Sequence, residues 1–219
     1  MPSNLDLLDL AEVLRSYGRG VVFRGPRWDP AEGSPIVLAH LGDTEGDIAF
    51  TPNAEVAALT LPEVTGPAQH EATYTGENPA LELPLFLADP ALYSIVSPKG
   101  SAHAGRSGRT AVAEHTLAIF PEALFGESRA ELVHNAGAWT LGGVALTAAQ
   151  LALLDTAVWL WRGYFMRPAR RWLGAPGDGS KNIEQVSFMV MHHPGLPEGH
   201  KLYTTGDPND YGIDLEGGS

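Results

Sequence analysis

Alternation of apolar and polar positions is the strongest signal in this chain. Leu81, Leu83, Leu85 and Leu87 take every second position, with Glu82, Pro84, Phe86 and Ala88 between them. Successive strand side chains point to opposite faces, so this spacing predicts a strand with one all-leucine face turned to a core. Val112–Phe120 and Lys181–Met191 also alternate, and the second carries Val186, Phe188 and Val190 on one notably apolar face. Shorter apolar runs fall at Gly20–Trp28, Ile36–Leu41, Ile48–Thr51, Val56–Val64 and His70–Thr75. Between them stand Gly42-Asp43, Glu45-Gly46, Thr65-Gly66-Pro67 and Gly76-Glu77-Asn78-Pro79, the residues that turn a chain tightly. Many short strands at this spacing predict a mainly β fold, a sandwich or barrel.

Helical signals are few. Leu5, Leu8, Leu10 and Leu14, with Asp6 and Asp9 between them, predict a short amphipathic helix or an arm that needs an apolar surface to dock on. Asp89-Pro90 is a cap followed by proline at the first helical position, which predicts one or two turns over Ala91–Val96. Thr147 and Gln150 have capping-box spacing, so a helix is expected to end near Leu154, with a strand over Asp155–Met166 where Val158, Trp159, Trp161, Tyr164 and Phe165 crowd together. Pro98–Arg109 is small, polar and glycine-rich and is expected to be a long loop. Beyond Pro194 the chain is rich in Gly, Pro and Asp and is expected to form an arm ordered by its neighbours. The resulting division is an N-terminal arm or short helix over 1–19, a β domain over 20–194 and a C-terminal arm over 195–219.

Composition supports this class. Hydrophobic residues are 44% and charged residues 18% of the 219, enough apolar surface for a sizeable core and too little charge for a disordered chain. The 25 Gly and 17 Pro are spread along the length, which favours short extended segments over helices. Acidic residues outnumber basic ones by 26 to 14, for a net charge of −12. The average surface therefore repels a phosphate backbone, which argues against tight DNA binding and suits a channel wall along which DNA slides. With no cysteine, there are no disulfides, thiolate metal sites or cysteine nucleophiles. The first fifteen residues hold Asp6, Asp9 and Glu12 without an early basic region, unlike a signal peptide, so synthesis in a cytoplasm is expected. Asp155 and Arg162 interrupt the apolar stretch Val144–Phe165, which argues against a membrane span.

Candidate chemistry is sparse. The chain has no phosphate loop, no Gly-x-Ser-x-Gly elbow and no His-Glu-x-x-His pair, and the expectation is a protein without an active site or cofactor. His192 and His193 are adjacent, and neighbours on a strand face opposite ways, so they are poorly placed to share a metal. Asp207, Asn209, Asp210 and Asp214 are oxygen donors without the spacing of a calcium loop. Asp43, Glu45, Asp47 and Asp178 are accounted for by turns. Arg162, Arg167, Arg170 and Arg171 form the one basic cluster, interleaved with Trp159, Trp161, Tyr164 and Trp172. This is either a single-strand-binding strip or a subunit interface, where Trp, Tyr and Arg are typical anchors; the net charge favours the interface.

Three runs carry a family resemblance: Leu41-Gly42-Asp43-Thr44-Glu45-Gly46-Asp47-Ile48, Leu59-Thr60-Leu61-Pro62-Glu63-Val64-Thr65-Gly66-Pro67, and Tyr74-Thr75-Gly76-Glu77-Asn78-Pro79-Ala80-Leu81-Glu82-Leu83-Pro84-Leu85. In order and turn chemistry they resemble the core of the major tail tube proteins of long-tailed bacteriophages, over roughly Phe23–Phe120 and the strand at Lys181–Met191. The resemblance implies a β-sandwich with a flanking helix, and hexameric rings closed by a shared lumenal β-barrel. It further implies stacking through a long loop and terminal arms, a negative lumen through which viral DNA passes unbound, and a place in the virion tail beside tape measure, terminator and baseplate proteins. Alternatives are another virion connector, such as a tail terminator or head–tail adaptor; a carbohydrate-binding sandwich using Trp159, Trp161 and Trp172; and a metal-assisted hydrolase built on His192 and His193.

Overall fold

The computed structural model describes residues 19–28, 35–45, 47–51, 54–59, 71–77, 79–86, 92–96, 112–121, 129–166, 170–172, 183–197, 202–206 and 208. The N-terminal helix or arm, the Pro98–Arg109 loop, Arg167, Asp178 and all the proposed calcium ligands lie outside them.

Six antiparallel strands close into a barrel: β1 (Gly20–Pro26), β2 (Ile36–Thr44), β6 (Ala80–Phe86), β7 (His115–Pro121), β11 (Val158–Phe165) and β13 (Ile183–Val190). The order around it is β2, β1, β7, β11, β13, β6, and the ring closes where Asp43 and Thr44 pair with Phe86 and Leu85. The leucine alternation explains the inside. Leu81, Leu83 and Leu85 are fully buried with Val22, Leu41, Leu117, Ile119, Val186 and Phe188 in one cluster that fills the barrel. Each such side chain contributes about 1.5–3 kcal/mol on leaving water. Ile48, Leu202 and Val96, just after the single-turn helix α1 (Leu92–Ile95), belong to the same cluster.

A second layer covers one outer flank. Past β2, the sheet continues through a meander of β8 (Leu132–Asn135), β9 (Ala138–Leu141) and β10 (Val144–Ala145), after which α2 (Ala148–Leu154) leads into β11. The first half of β2 pairs with β8 and its last two residues with β6, so this one strand belongs to both meander and barrel. The sequence reading placed a turn at Gly42-Asp43; the strand instead runs through them to Thr44, because the β6 partner claims that end. The meander was not foreseen at all. Its two turns are written locally: Ala136 and Gly137, then Gly142 and Gly143, all have positive φ, the backbone that two-residue hairpins with the correct twist require.

Between the layers lies a second cluster with Phe23, Leu38, Phe120, Leu132, Leu146 and Leu154. Through it runs a column of tryptophans: Trp139 and Trp159 have ring centroids 5.5 Å apart, Trp159 and Trp161 stack at 5.3 Å and 10°, and Trp161 meets Trp28 at 5.1 Å. β11 is thus buried on both faces over Val158–Trp161. Gly163 lets β11 and β13 approach, since a Cβ there would overlap the Met189 carbonyl oxygen and the Phe188 ring.

Part of the segment after Pro194, expected as an arm, packs on the fold. Leu196, Leu202 and Thr204 are buried, and β14 (Thr204–Thr205) pairs with Val158 and Trp159 of β11. The Trp161 indole N–H donates to Thr204 Oγ1 at 3.0 Å and that of Trp159 to the Gly206 carbonyl at 2.9 Å. Residues 196–197 and 202–206 are held on the fold, and 204–206 supply the acceptors that two buried indoles need.

Three further strands, with β6, form one excursion. β3 (Ala49–Thr51) pairs with β6, and β4 (Ala54–Leu59) pairs with β5 (Glu71–Glu77) as a separate two-stranded sheet. Thr51 faces Ala80, then Ala54 faces Glu77, so β3–β4 and β5–β6 are the two arms of one long hairpin that leaves the barrel.

Candidate assembly surface

The residues nominated for a subunit interface do not form one patch. Trp159 and Trp161 are fully buried within the chain, with partners for both indoles, so they are core residues. The apolar run Val158–Trp161 was the available signal, since uninterrupted burial produces no alternation. Arg162 is held by Glu114, its Nη2 donating to Oε1 at 2.6 Å and its Nε to Oε2 at 2.9 Å, while Nη1 donates to the His192 carbonyl. Arg27 approaches the same carboxylate at 3.3 Å. The Arg162 hydrogen bonds, with help from Arg27, hold the Glu114 carboxyl below its ordinary range. Tyr164 is half-buried and its hydroxyl donates to Met189 Sδ at 3.0 Å. Arg170, Arg171 and Trp172 form β12, which pairs with Gln185, Glu184 and Ile183 of β13.

The histidine pair is no metal site. His193 is fully buried, its Nε2 donating to the Trp28 carbonyl at 2.9 Å and its Nδ1 accepting from the Gly195 N–H at 3.2 Å, which occupies both ring nitrogens. Among the described residues no group of three His, Asp or Glu side chains is arranged to hold a metal ion. Two of the turn carboxylates, Asp43 and Glu45, are ion-paired within the chain. Asp43 takes a two-pronged contact from Arg129, at 2.9 Å from Nε and 2.8 Å from Nη2, and a third from His40 Nε2 at 2.8 Å. Burial alone would raise the Asp43 carboxyl, but these hydrogen bonds outweigh it and keep it low. Glu45 meets Arg19 at 3.4 Å on the surface, a contact of little weight.

One buried histidine makes the fold acid-sensitive. His115 sits against Phe165 with its Nδ1 3.4 Å from Arg24 Nη1, and burial together with that guanidinium pushes its pKa down to about 4. An unfolded histidine takes its proton near 6.5. The unfolded state therefore binds the proton first as pH falls, so stability is full above about pH 6.5 and is lost toward pH 4, by about 2 kcal/mol after discounting partial solvation. The urea midpoint is expected to fall over that window, and His115→Gln is expected to flatten the fall; parallel pH profiles for the two proteins would refute this role.

Among the described residues, what the fold leaves open is strand edge. Among the described residues, β3 and β10 stand at the two ends of the main sheet's strand order, and β4–β5 pairs with no other strand. A barrel that is already closed has no need of these edges for its own core, so they are the positions where further chains can add. No helix among the described residues is long and apolar enough to cross a membrane, which says nothing of spanning by strands. No family model and no curated protein matches this chain.

Proposed function

We propose that this chain is a structural subunit that assembles with copies of itself, and that its assembly is the tail tube of a long-tailed bacteriophage: hexameric rings stacked into a conduit for DNA. The observation that carries the reading is the β3–β6 excursion. The 41–48 and 74–85 runs that resemble tail tube proteins lie at its base, and the 59–67 run begins at the last residue of β4. Beyond Thr51 and Ala80 its strands, among the described residues, pair with each other and with no other strand. An isolated two-stranded ribbon is marginal in water, and joining ribbons from neighbouring subunits into a shared barrel removes the exposed edges. The net charge of −12 suits a wall that DNA passes without binding.

Two rival readings are weakened at specific residues. A sugar-stacking platform needs exposed rings, and Trp159 and Trp161 are buried. A hydrolytic metal site needs a free ligand nitrogen on each histidine, and His193 has none to give. A tail terminator or head–tail adaptor would share the sandwich and differ in forming a single ring.

Negative-stain electron microscopy of the purified protein is the test. Tubes of stacked rings are expected; single rings would move the assignment to a terminator or adaptor, and monomers persisting at high concentration would overturn it.

A further inference from the structure

Residues 132–154 contain no Asp, Glu, Lys or Arg, in a chain with 26 acidic and 14 basic residues. They build the meander and α2, and only their inner side is accounted for: Leu132, Trp139, Leu146 and Leu154 pack into the second cluster. The outer side is open. Val144 is 71% exposed and Leu151 43%, and Ala145, Ala148, Ala149 and Ala152 are exposed beside them. β10 lies just before α2 in the chain and, among the described residues, stands at one end of the main sheet's strand order. Its residues Val144 and Ala145 carry neither the charge nor the proline that usually blunts an exposed edge.

We infer that β10 and the outer face of α2 form a self-association site, whose occupant is the same surface of a second copy. Charge selects that occupant. Two bodies of −12 repel on average, and that repulsion is least where neither surface is charged. A basic partner would be drawn to the acidic surface elsewhere and has no reason to choose the neutral part. Geometry agrees, since an edge strand pairs antiparallel with its own copy about a two-fold axis, giving a self-complementary contact. Two residues of edge are too few alone, and the apolar face of α2 beside them supplies the remaining burial. This contact does not depend on the tube reading.

Sedimentation equilibrium of the full chain tests it. A reversible dimer is expected, and Val144→Glu with Leu151→Glu is expected to weaken it tenfold or more while leaving the melting temperature in place, because both side chains are exposed. Raising salt from about 0.05 M to about 0.5 M is expected to tighten the dimer by screening the net repulsion, whereas an ion-paired interface would loosen. Because the chain has no cysteine, a spin label on Val144→Cys reports the contact directly, through strong coupling between copies. The inference is overturned by a monomer at all concentrations, by a dimer indifferent to the two glutamates, by salt-induced loosening, or by binding of the surface to lipid vesicles in place of a second copy. A dimer indifferent to both glutamates, beside tubes that still form, would sink this contact and spare the tube; a glutamate-sensitive dimer that never forms tubes would do the reverse.

Discussion

A chain ending at Pro194 is expected to lose its cooperative unfolding transition, with tryptophan emission shifted to that of solvated indole in native buffer. The deletion removes Leu196 and Leu202 from the two cores and takes away both indole acceptors, Thr204 Oγ1 and the Gly206 carbonyl. A lost leucine burial costs about 1.5–3 kcal/mol and a buried donor left without a partner about 1–3. The combined loss of about 5–12 kcal/mol matches the whole stability of an ordinary domain, about 5–15 kcal/mol. Four of the five tryptophans line the affected column, so fluorescence reads the event directly. Thr204→Val separates the contributions: it removes one acceptor, keeps the shape and is expected to cost about 1–3 kcal/mol while the chain still folds. A truncated chain with native emission and a sharp melt would show that the C-terminal segment is dispensable to folding.

This outcome reverses what composition suggests for the C-terminus, and the reason is specific. Gly, Pro and Asp after Pro194 read as an arm, but fold membership there is decided by Leu196, Leu202, Thr204 and Gly206, four positions whose partners lie elsewhere in sequence. The β6 leucines were legible because a strand buried on one face alternates; Val158–Trp161 was misread because burial on both faces erases alternation. Nearby arginines then lent that stretch the look of a surface, although Arg162 is engaged by Glu114, 48 positions away. The capping box was legible because its contacts are local: Gln150 N–H donates to Thr147 Oγ1 at 3.3 Å, and Thr147 N–H to Gln150 Oε1 at 3.0 Å. Barrel closure was not, because it rests on Asp43 and Thr44 meeting Phe86 and Leu85 across the chain. The candidate surfaces were the least legible part, since an open strand edge is defined by what fails to pair with it.

The excursion beyond the barrel can be removed at the cost of one backbone hydrogen bond to a barrel strand, and its loss is expected to separate folding from assembly. Thr51 and Ala80 lie opposite each other, so the ends of the segment 52–79 are held at the spacing that a two-residue turn bridges. Replacing 52–79 by Asn-Gly supplies a turn whose twist suits the flanking strands. Among the described residues the deleted strands β4 and β5 pair with each other alone, and the interior cluster of Val22, Leu81, Leu83, Leu117 and Val186 keeps every member. One tie at the cut is lost, the Val190 N–H to the Pro79 carbonyl at 2.9 Å, worth about 1 kcal/mol. The shortened chain is therefore expected to melt cooperatively within several degrees of the parent. In electron micrographs it should give no rings or tubes, because the ribbon that would join neighbouring subunits is gone. Rings from the shortened chain would take the excursion out of assembly and leave the tube reading without its main support. A shortened chain that fails to melt cooperatively would instead mean that β4–β5 is part of the folding unit, and that the closed barrel does not stand alone.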